Sequence, residues 1–422
     1  MLSNMLRKAV QIEPGETRAT LTSFGFVFVL MAAYYILRPV RDAMASDWTD
    51  AEVSWLWTLN FFISAAVVSL YGAAVSGIRF RRLVPSVYGF FAFSFVAFYL
   101  GTQVVTDRDL VDKAFYVWIS VFSLFHISVF WSFMAELFSR QQSLRLFGFI
   151  GAGASTGALL GPTLPALFVQ RIGTDNLILV AAGLLLLTLP VIALLQRLQA
   201  GNTGAGTQAV SPEYALGGNP LAGFLDFVRS PYMLAIGLFI LLYTSLSSFI
   251  YFELKNLMAD FSRTQRTQIW ASMDLAVNTL TLLTAAFVTG RIASRFGLGV
   301  TLCSVPFLIC GGMFAVAAAP SLALVVGLQI LRRAGNYAIT RPGREMLFTA
   351  VDRETRFKTK PVIDIVVYRG GDTLNAWAFT ALTQGLGLGL GAVALVGAGI
   401  AAIWGLTGLY LGGMFKRQPT AA

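Results

Sequence analysis

The sequence predicts an all-α membrane protein with twelve transmembrane helices in two six-helix repeats. Three observations carry that expectation. The 422-residue chain is 56% hydrophobic and only 12% charged, with a mean hydropathy of +0.70, whereas soluble domains hold about 25% charged residues. Its apolar stretches run to roughly 20 residues, the length that crosses about 30 Å of hydrocarbon. Features of the first half also recur, in order, about 210 residues further on. Barrel strands are excluded, because the apolar runs are too long and continuous for alternation.

The spans fall at about 20–45, 52–77, 83–103, 114–138, 144–169, 176–197, 231–258, 267–290, 298–318, 321–347, 361–383 and 388–414. The leading MLSNMLRKAVQIEPGETRA has a basic start but no adjacent apolar core or cleavage site, so it does not read as a signal peptide. Trp48, Trp55, Trp57 and Trp270 stand at predicted outer ends, where an interfacial aromatic belt belongs. The lone His126, in span 4, reads as a packed or hydrogen-bonded residue, with a proton relay as the alternative. Residues 198–222 are rich in Gly, Asn, Thr and Pro and separate six spans from six. The expected organisation is therefore a half at 1–197, a cytoplasmic linker at 198–230 and a half at 231–422, with GFLDFVRSP lying amphipathically at the inner surface. Cys303 and Cys310 share one apolar span and suggest neither a disulfide framework nor a metal site. The glycine-rich GLGLGLGAVALVGAG of span 12 is packing and not a phosphate loop, since no strand–turn–helix context surrounds it.

The net charge of +10 encodes orientation rather than nucleic-acid binding. With the N-terminus inside, eighteen Lys and Arg lie on inner segments and five on outer ones. That bias is expected of a multi-pass bacterial plasma (inner) membrane protein with both termini cytoplasmic.

Fifteen ionisable residues nevertheless sit inside the spans: Arg38, Arg41, Lys255, Arg332, Arg333, Arg341, Arg344 and Arg369, with Asp42, Glu136, Glu253, Asp274, Glu345, Asp364 and Asp372. A charge at the bilayer centre costs at least ~3 kcal/mol, so such groups face a protein interior or a wet cavity. Some of them can serve only to pair with each other or to snorkel from helix ends, Arg341, Arg344, Glu345 and Asp364 above all.

The halves correspond at several points. Arg41-Asp-Ala-Met matches Lys255-Asn-Leu-Met, Asn60 falls on Asp274, SGIRFRR on TGRIASRFG, and Glu136-Leu-Phe-Ser on Glu345-Met-Leu-Phe-Thr. Two parallel six-helix repeats are the architecture of major-facilitator transporters, which bind substrate near the midplane between halves. GRIASRFG resembles the basic inter-helix loop of that superfamily, with Ser294 in place of its usual aspartate. Gly153, Gly157 and Gly161, followed by Pro162, resemble the glycine-proline motif of its antiporters, and close helix packing explains the spacing equally well.

YYILRPVRDAM (34–44), MAELFSRQQS (134–143), FELKNLM (252–258) and RPGREMLFTAVDRETRFKTKPVIDIVVYRGGD (341–372) carry a closer resemblance, to the ATP/ADP translocase family. The YRGGD form is most similar to that family's relatives in free-living bacteria. The resemblance implies a nucleotide-exchange transporter, with recognition residues falling on Arg41, Glu136, Glu253 and Arg369. Characterised exchangers have lysine at the place of Arg41 and, in another glycine context, near Arg369. A planar fork replacing a point charge changes how a phosphate is held.

The residues ask for an anion whatever the family. Arg38 and Arg41 share a helical face, with Tyr34 one turn below. Lys255, Arg332, Arg333 and Arg369 are their counterparts in the other repeat, and such donors suit phosphate or carboxylate. Tyr34 and Tyr35 offer stacking or plain packing. Gly370-Gly371 permits close backbone approach or bending. Glu253, Asp274 and Asp372 could neutralise the basic groups when the site is empty, which favours exchange. The leading expectation is therefore an alternating-access antiporter of an anionic, phosphorylated metabolite, nucleotides included. A proton-coupled transporter of a metallophore or peptide, with Glu136, Glu253, Asp274 or Asp372 carrying the proton, is the alternative. A receptor or assembly subunit is a third, and charges on both repeats argue against it. No nucleophile–base pair, metal-ligand spacing or P-loop supports an enzyme. The expected partners are a small anionic solute and the bilayer, without nucleic acid or cofactor, for a monomer.

Overall fold

The computed structural model describes residues 12–13, 15–77, 80–202, 227–284, 290–351, 359 and 362–417. Most of the expected linker, the N-terminal stretch and the basic run after residue 351 lie outside the described residues. Among the described residues there are twelve long helices and no strand. They are α1 (Thr17–Met44), α2 (Asp50–Gly77), α3 (Phe80–Val104), α4 (Arg108–Leu137), α5 (Arg140–Leu160, continued by Thr163–Ile172) and α6 (Asn176–Asn202). The second set is α7 (Pro231–Leu257), α8 (Arg263–Thr284), α9 (Gly290–Ala318), α10 (Leu322–Gly335 and Arg341–Leu347), α11 (around Tyr368–Thr380) and α12 (Leu390–Arg417).

Local chemistry sets many of their ends. Thr49 and Glu52 cap the start of α2 reciprocally, the Thr49 amide donating to Glu52 Oε2 at 2.9 Å and the Glu52 amide to Thr49 Oγ1 at 3.2 Å. Asp107, Ser139, Ser230 and Ser321 accept from first-turn amides of α4, α5, α7 and α10. Pro162 interrupts α5, where its missing N–H cannot continue the ladder. Gly297, at φ 78°, lets the SRFG segment bend within α9.

Eight of these helices are long and apolar enough to span a membrane by composition alone. The other four are α2 and the charge-bearing α8, α10 and α11. The last three carry Asp274, Arg332, Arg333, Arg369 and Asp372. A π-helical turn, Asn336–Thr340, follows the arginine pair of α10, and another, Val362–Val367, precedes Tyr368-Arg369. Such widened turns occur mostly as single insertions in helices, frequently at functional sites.

The chain forms two compact units. One comprises Met1–Ala45, Phe62–Glu213 and Phe261–Leu275; the other comprises Ser46–Phe61, Tyr214–Asp260 and Ala276–Ala422. The first stretch of α2 thus packs with α7 and α11, and the first stretch of α8 packs with the α1–α6 unit.

Within the first unit α1 lies against α5, α6 and α4. The glycine ladder of α5 makes that contact. A Cβ at Gly153 would stand 2.6 Å from the Phe24 carbonyl oxygen and one at Gly161 2.9 Å from that of Ala32, while one at Gly157 would press on the Phe28 carbonyl. Close backbone packing is therefore what the spacing achieves here. In the second unit α9 and α12 meet in the same manner, with Gly412 against the Gly299 backbone and Gly408 against that of Leu302. The glycines of span 12 are packing residues, as expected. Trp55 is exposed, as a belt residue should be, but Trp48 and Trp270 are buried inside the protein, at 5% and 1% exposure. Sequence position near a helix end does not tell which way the indole points.

Candidate functional site

Many of the ionisable residues of the spans gather into clusters within one unit or the other. In the first unit Arg38, a turn before Asp42, places Nε 3.6 Å from Asp42 Oδ2 and Nη1 3.5 Å from Asp274 Oδ1. Arg41 donates from Nε and Nη2 to Asp42 Oδ1 at 2.9 and 2.6 Å, and from Nη1 to Ser120 Oγ at 3.4 Å. Both guanidinium groups also lie over rings, Arg38 above Tyr35 at 5.9 Å and Arg41 above Tyr116 at 5.6 Å. Two arginines therefore face two carboxylates that are 2% and 1% exposed, and the cluster is electrically balanced. Tyr34, one turn below Arg38, stacks on His126 with centroids 4.5 Å apart and planes at 25°. His126 is 5% exposed, with Phe122 on another side, so it is a packed residue of this aromatic group.

The second unit treats its charges differently. Lys255 is 1% exposed, and its ammonium group lies beside three oxygens. These are Asp50 Oδ1 at 2.8 Å, the Trp48 carbonyl at 2.9 Å and Asn256 Oδ1 at 2.8 Å. Thr383 donates to the other oxygen of that carboxylate, Asp50 Oδ2, at 2.8 Å. Lys255 thus fastens the first turn of α2, and Ser54–Thr380 and Trp377–Thr58 hydrogen bonds extend the same seam.

The same unit holds a second, strongly basic group. Arg332 and Arg333 are each 2% exposed. Arg332 donates from Nε and Nη2 to Gln329 Oε1 at 3.1 and 2.8 Å and lies over the Tyr243 ring at 5.5 Å. Its Nη1 is buried and has no hydrogen-bond partner. The Tyr243 hydroxyl accepts from Asn336 at 3.1 Å, on the π turn just after the arginines. Tyr368 faces Tyr243 at 6.1 Å between centroids. Arg369 and Asp372 follow on α11, and Asp372 lies in the field of both Arg369 and Arg332. Neither Arg369 nor Asp372 makes an ion pair within 4 Å among the described residues. Gly371 lets α11 close on α7, because a Cβ there would stand 2.6 Å from Thr244 Oγ1; Gly370 beside it meets only open space.

Other expected site residues stand apart. Glu136 ends α4 and is exposed. Glu253 is fully buried, and neither of its oxygens has a hydrogen-bond partner. Arg344 pairs with Glu345 at 3.0 Å, as helix-end charges do, and the side chain of Asp364 lies outside the described residues. Sequence reasoning missed Gln329, Tyr243, Asn336 and Asp50. Gln329, a polar residue three before Arg332 in an apolar stretch, carried a readable signal. Asp50 and Tyr243 carried none, since their partners come from far along the chain.

The sequence profile of the Major Facilitator Superfamily matches residues 23–344. The chain belongs to the Major Facilitator Superfamily. No curated protein matches it. Solved structures of superfamily transporters resemble it at low identity. A bacterial homologue of the human lysosomal transporter Spinster, in an inward-facing and unoccupied state, is 13% identical with a TM-score of 0.59, covering 97% of this chain and 100% of that one. The nucleoside transporter NupG (D323A) is 13% identical with a TM-score of 0.64, covering 93% and 99%. A peptide transporter of the POT family in complex with sulfate is 15% identical with a TM-score of 0.64, covering 96% of each. These likenesses show the fold. As a superfamily member the protein is a multi-pass membrane protein and a secondary transporter.

Proposed function

We propose that the protein is an alternating-access antiporter of an anionic, phosphorylated metabolite, with nucleotides as the leading candidates, in a bacterial inner membrane with both termini cytoplasmic. One observation carries the reading: the second unit buries Arg332 with an unsatisfied Nη1, and Asp372 lies in the field of both Arg332 and Arg369. Buried guanidinium donors without partners are costly, and a phosphate or carboxylate supplies what they lack. Tyr368 and Tyr243 offer faces for a planar group beside the charge. An empty site retains uncompensated positive charge in a low-dielectric setting, so return without a counter-anion is disfavoured and exchange follows. The resemblance to nucleotide exchangers points the same way, since the basic recognition residue it implies in the eleventh span falls on Arg369.

The test is uptake of labelled ATP, ADP and inorganic phosphate into proteoliposomes, with and without unlabelled anion inside. Preloading should raise uptake strongly, and a proton gradient should not drive accumulation into empty vesicles. Accumulation from empty vesicles driven by a pH gradient would replace antiport with the proton-coupled alternative. Failure of every anion to move would remove the anion reading.

A further inference from the structure

Four carboxylic acids of the spans were candidates to carry a proton, and the structure separates them. Asp274 is held by Arg38 at 3.5 Å, Asp372 lies in the field of two arginines, and Glu136 is exposed at the end of α4. Glu253 shares none of these conditions. It is 0% exposed in the middle of a fully buried stretch, Tyr251–Lys255. Helical spacing puts Phe249 and Ile250, one turn earlier, on its face, and these are 2% and 0% exposed. Neither Oε1 nor Oε2 has a hydrogen-bond partner.

Among the described residues no neighbour supplies a counter-charge. α7 packs on α10, α11 and α12, and the Ser46–Phe61 stretch of α2 belongs to the same unit. Those elements bring Arg332, Arg333, Arg341, Arg344, Glu345 and Tyr337 from α10, and Tyr368, Arg369 and Asp372 from α11. α12 brings Tyr410, Lys416 and Arg417, and the α2 stretch brings Asp47, Asp50 and Glu52. On α7 itself are Tyr232, Tyr243, Tyr251 and Lys255, the last committed to Asp50, Trp48 and Asn256 on the opposite side of the helix. None of them hydrogen-bonds to Glu253 or pairs with it within 4 Å. An ionised carboxylate so placed would have lost its hydration with nothing in return, which proteins avoid by leaving the group neutral.

We propose that Glu253 is a proton-binding site of the transporter: its carboxyl carries a proton in this conformation, sealed in the apolar face of α7, and can release it only when α7 shifts against its neighbours. The α2 stretch that holds α7 here, through Lys255–Asp50 and Trp57 against Tyr251 and Phe252 at 5.5 Å, is the contact whose release would permit that shift. Protonation of Glu253 thereby becomes linked to the exchange proposed above, on which the coupling part of this inference rests.

Infrared spectroscopy of the full chain tests the proton directly and needs no substrate. The wild type at neutral pH should show a protonated-carboxyl carbonyl band that moves when glutamate alone is isotope-labelled. The band should be missing from Glu253→Gln, which keeps the shape and removes the acid. A band that is absent, one that fails to move in the labelled wild type, or one that persists in the variant overturns the proposal. Coupling is read from counterflow of labelled ATP in proteoliposomes between about pH 5 and about pH 9. Wild-type exchange should fall by up to about tenfold per pH unit at the alkaline end, and Glu253→Gln should stay flat. A flat wild-type profile overturns the coupling. Absence of any ATP exchange, with the infrared band present, faults the anion reading and leaves the proton site standing.

Discussion

The two units use the same kind of residue to opposite ends. In the first, Arg38 and Arg41 meet Asp42 and Asp274, each guanidinium within 4 Å of a carboxylate. In the second, Arg332 reaches only a neutral Gln329 and a tyrosine face, and Arg369 has no ion pair among the described residues. The comparison teaches that a charged residue in a membrane span has no single meaning. A balanced cluster holds helices together, whereas an unbalanced one keeps an electrostatic deficit that a ligand can fill. Lys255, although in the second unit, belongs with the first kind.

Breaking the balanced cluster should have the largest effect. Asp274→Ala leaves Arg38 with a more distant share of Asp42 and should cost about 3 kcal/mol of stability. Adding Arg38→Met to Asp274→Leu should recover most of that loss in thermal melts of the purified protein, because charge and partner leave together. If Asp274→Ala melted like the wild type, the first cluster would not be structural.

The unbalanced cluster should respond in the reverse sense. Arg369→Ala or Arg332→Met should weaken anion binding by about 2 kcal/mol, some thirtyfold in affinity, without lowering the melting temperature. Isothermal titration with ATP on the same samples reads both quantities. Equal losses of stability and binding would erase the distinction between the units.

Helix packing should show where the units agree. Gly157→Val on the α5–α1 seam and Gly412→Val on the α12–α9 seam should each cost about 1–3 kcal/mol through overpacking. Gly370→Ala, which faces open space, should leave stability nearly unchanged. A mild Gly157→Val would revive a role for that ladder beyond packing.

The smallest effect belongs to the edge of the first unit. Burial favours the neutral form of Glu16, but hydrogen bonds from the Glu13 amide, Gln142 and Arg145, with the Arg145 charge, outweigh it and hold the carboxyl below its usual range. Its contribution to stability is therefore present above the ordinary carboxylate value and lost as pH falls through the lowered one. Glu16→Gln should flatten the acid limb of the melting-temperature profile slightly and leave the neutral value nearly untouched.

Much of this was legible in the chain. Hydropathy and span length predict helices, because lipid leaves the backbone no other way to satisfy its hydrogen bonds. The repeat and the motif resemblances predict the superfamily that the profile match shows. The spans also displayed every charge worth asking about, since an ionisable group in hydrocarbon is too costly to be incidental. The residues themselves did not tell Arg38 from Arg332. Each is an arginine on a helical face, and the difference is whether Asp274, more than two hundred residues away, comes within reach. Nor did they tell that Lys255 is saturated by Asp50 and the Trp48 carbonyl, that Trp48 and Trp270 turn inward, or that Glu253 has no companion. Sequence determines which groups need a partner. Only the tertiary structure, by bringing distant helices within hydrogen-bond distance or withholding them, decides which groups receive one.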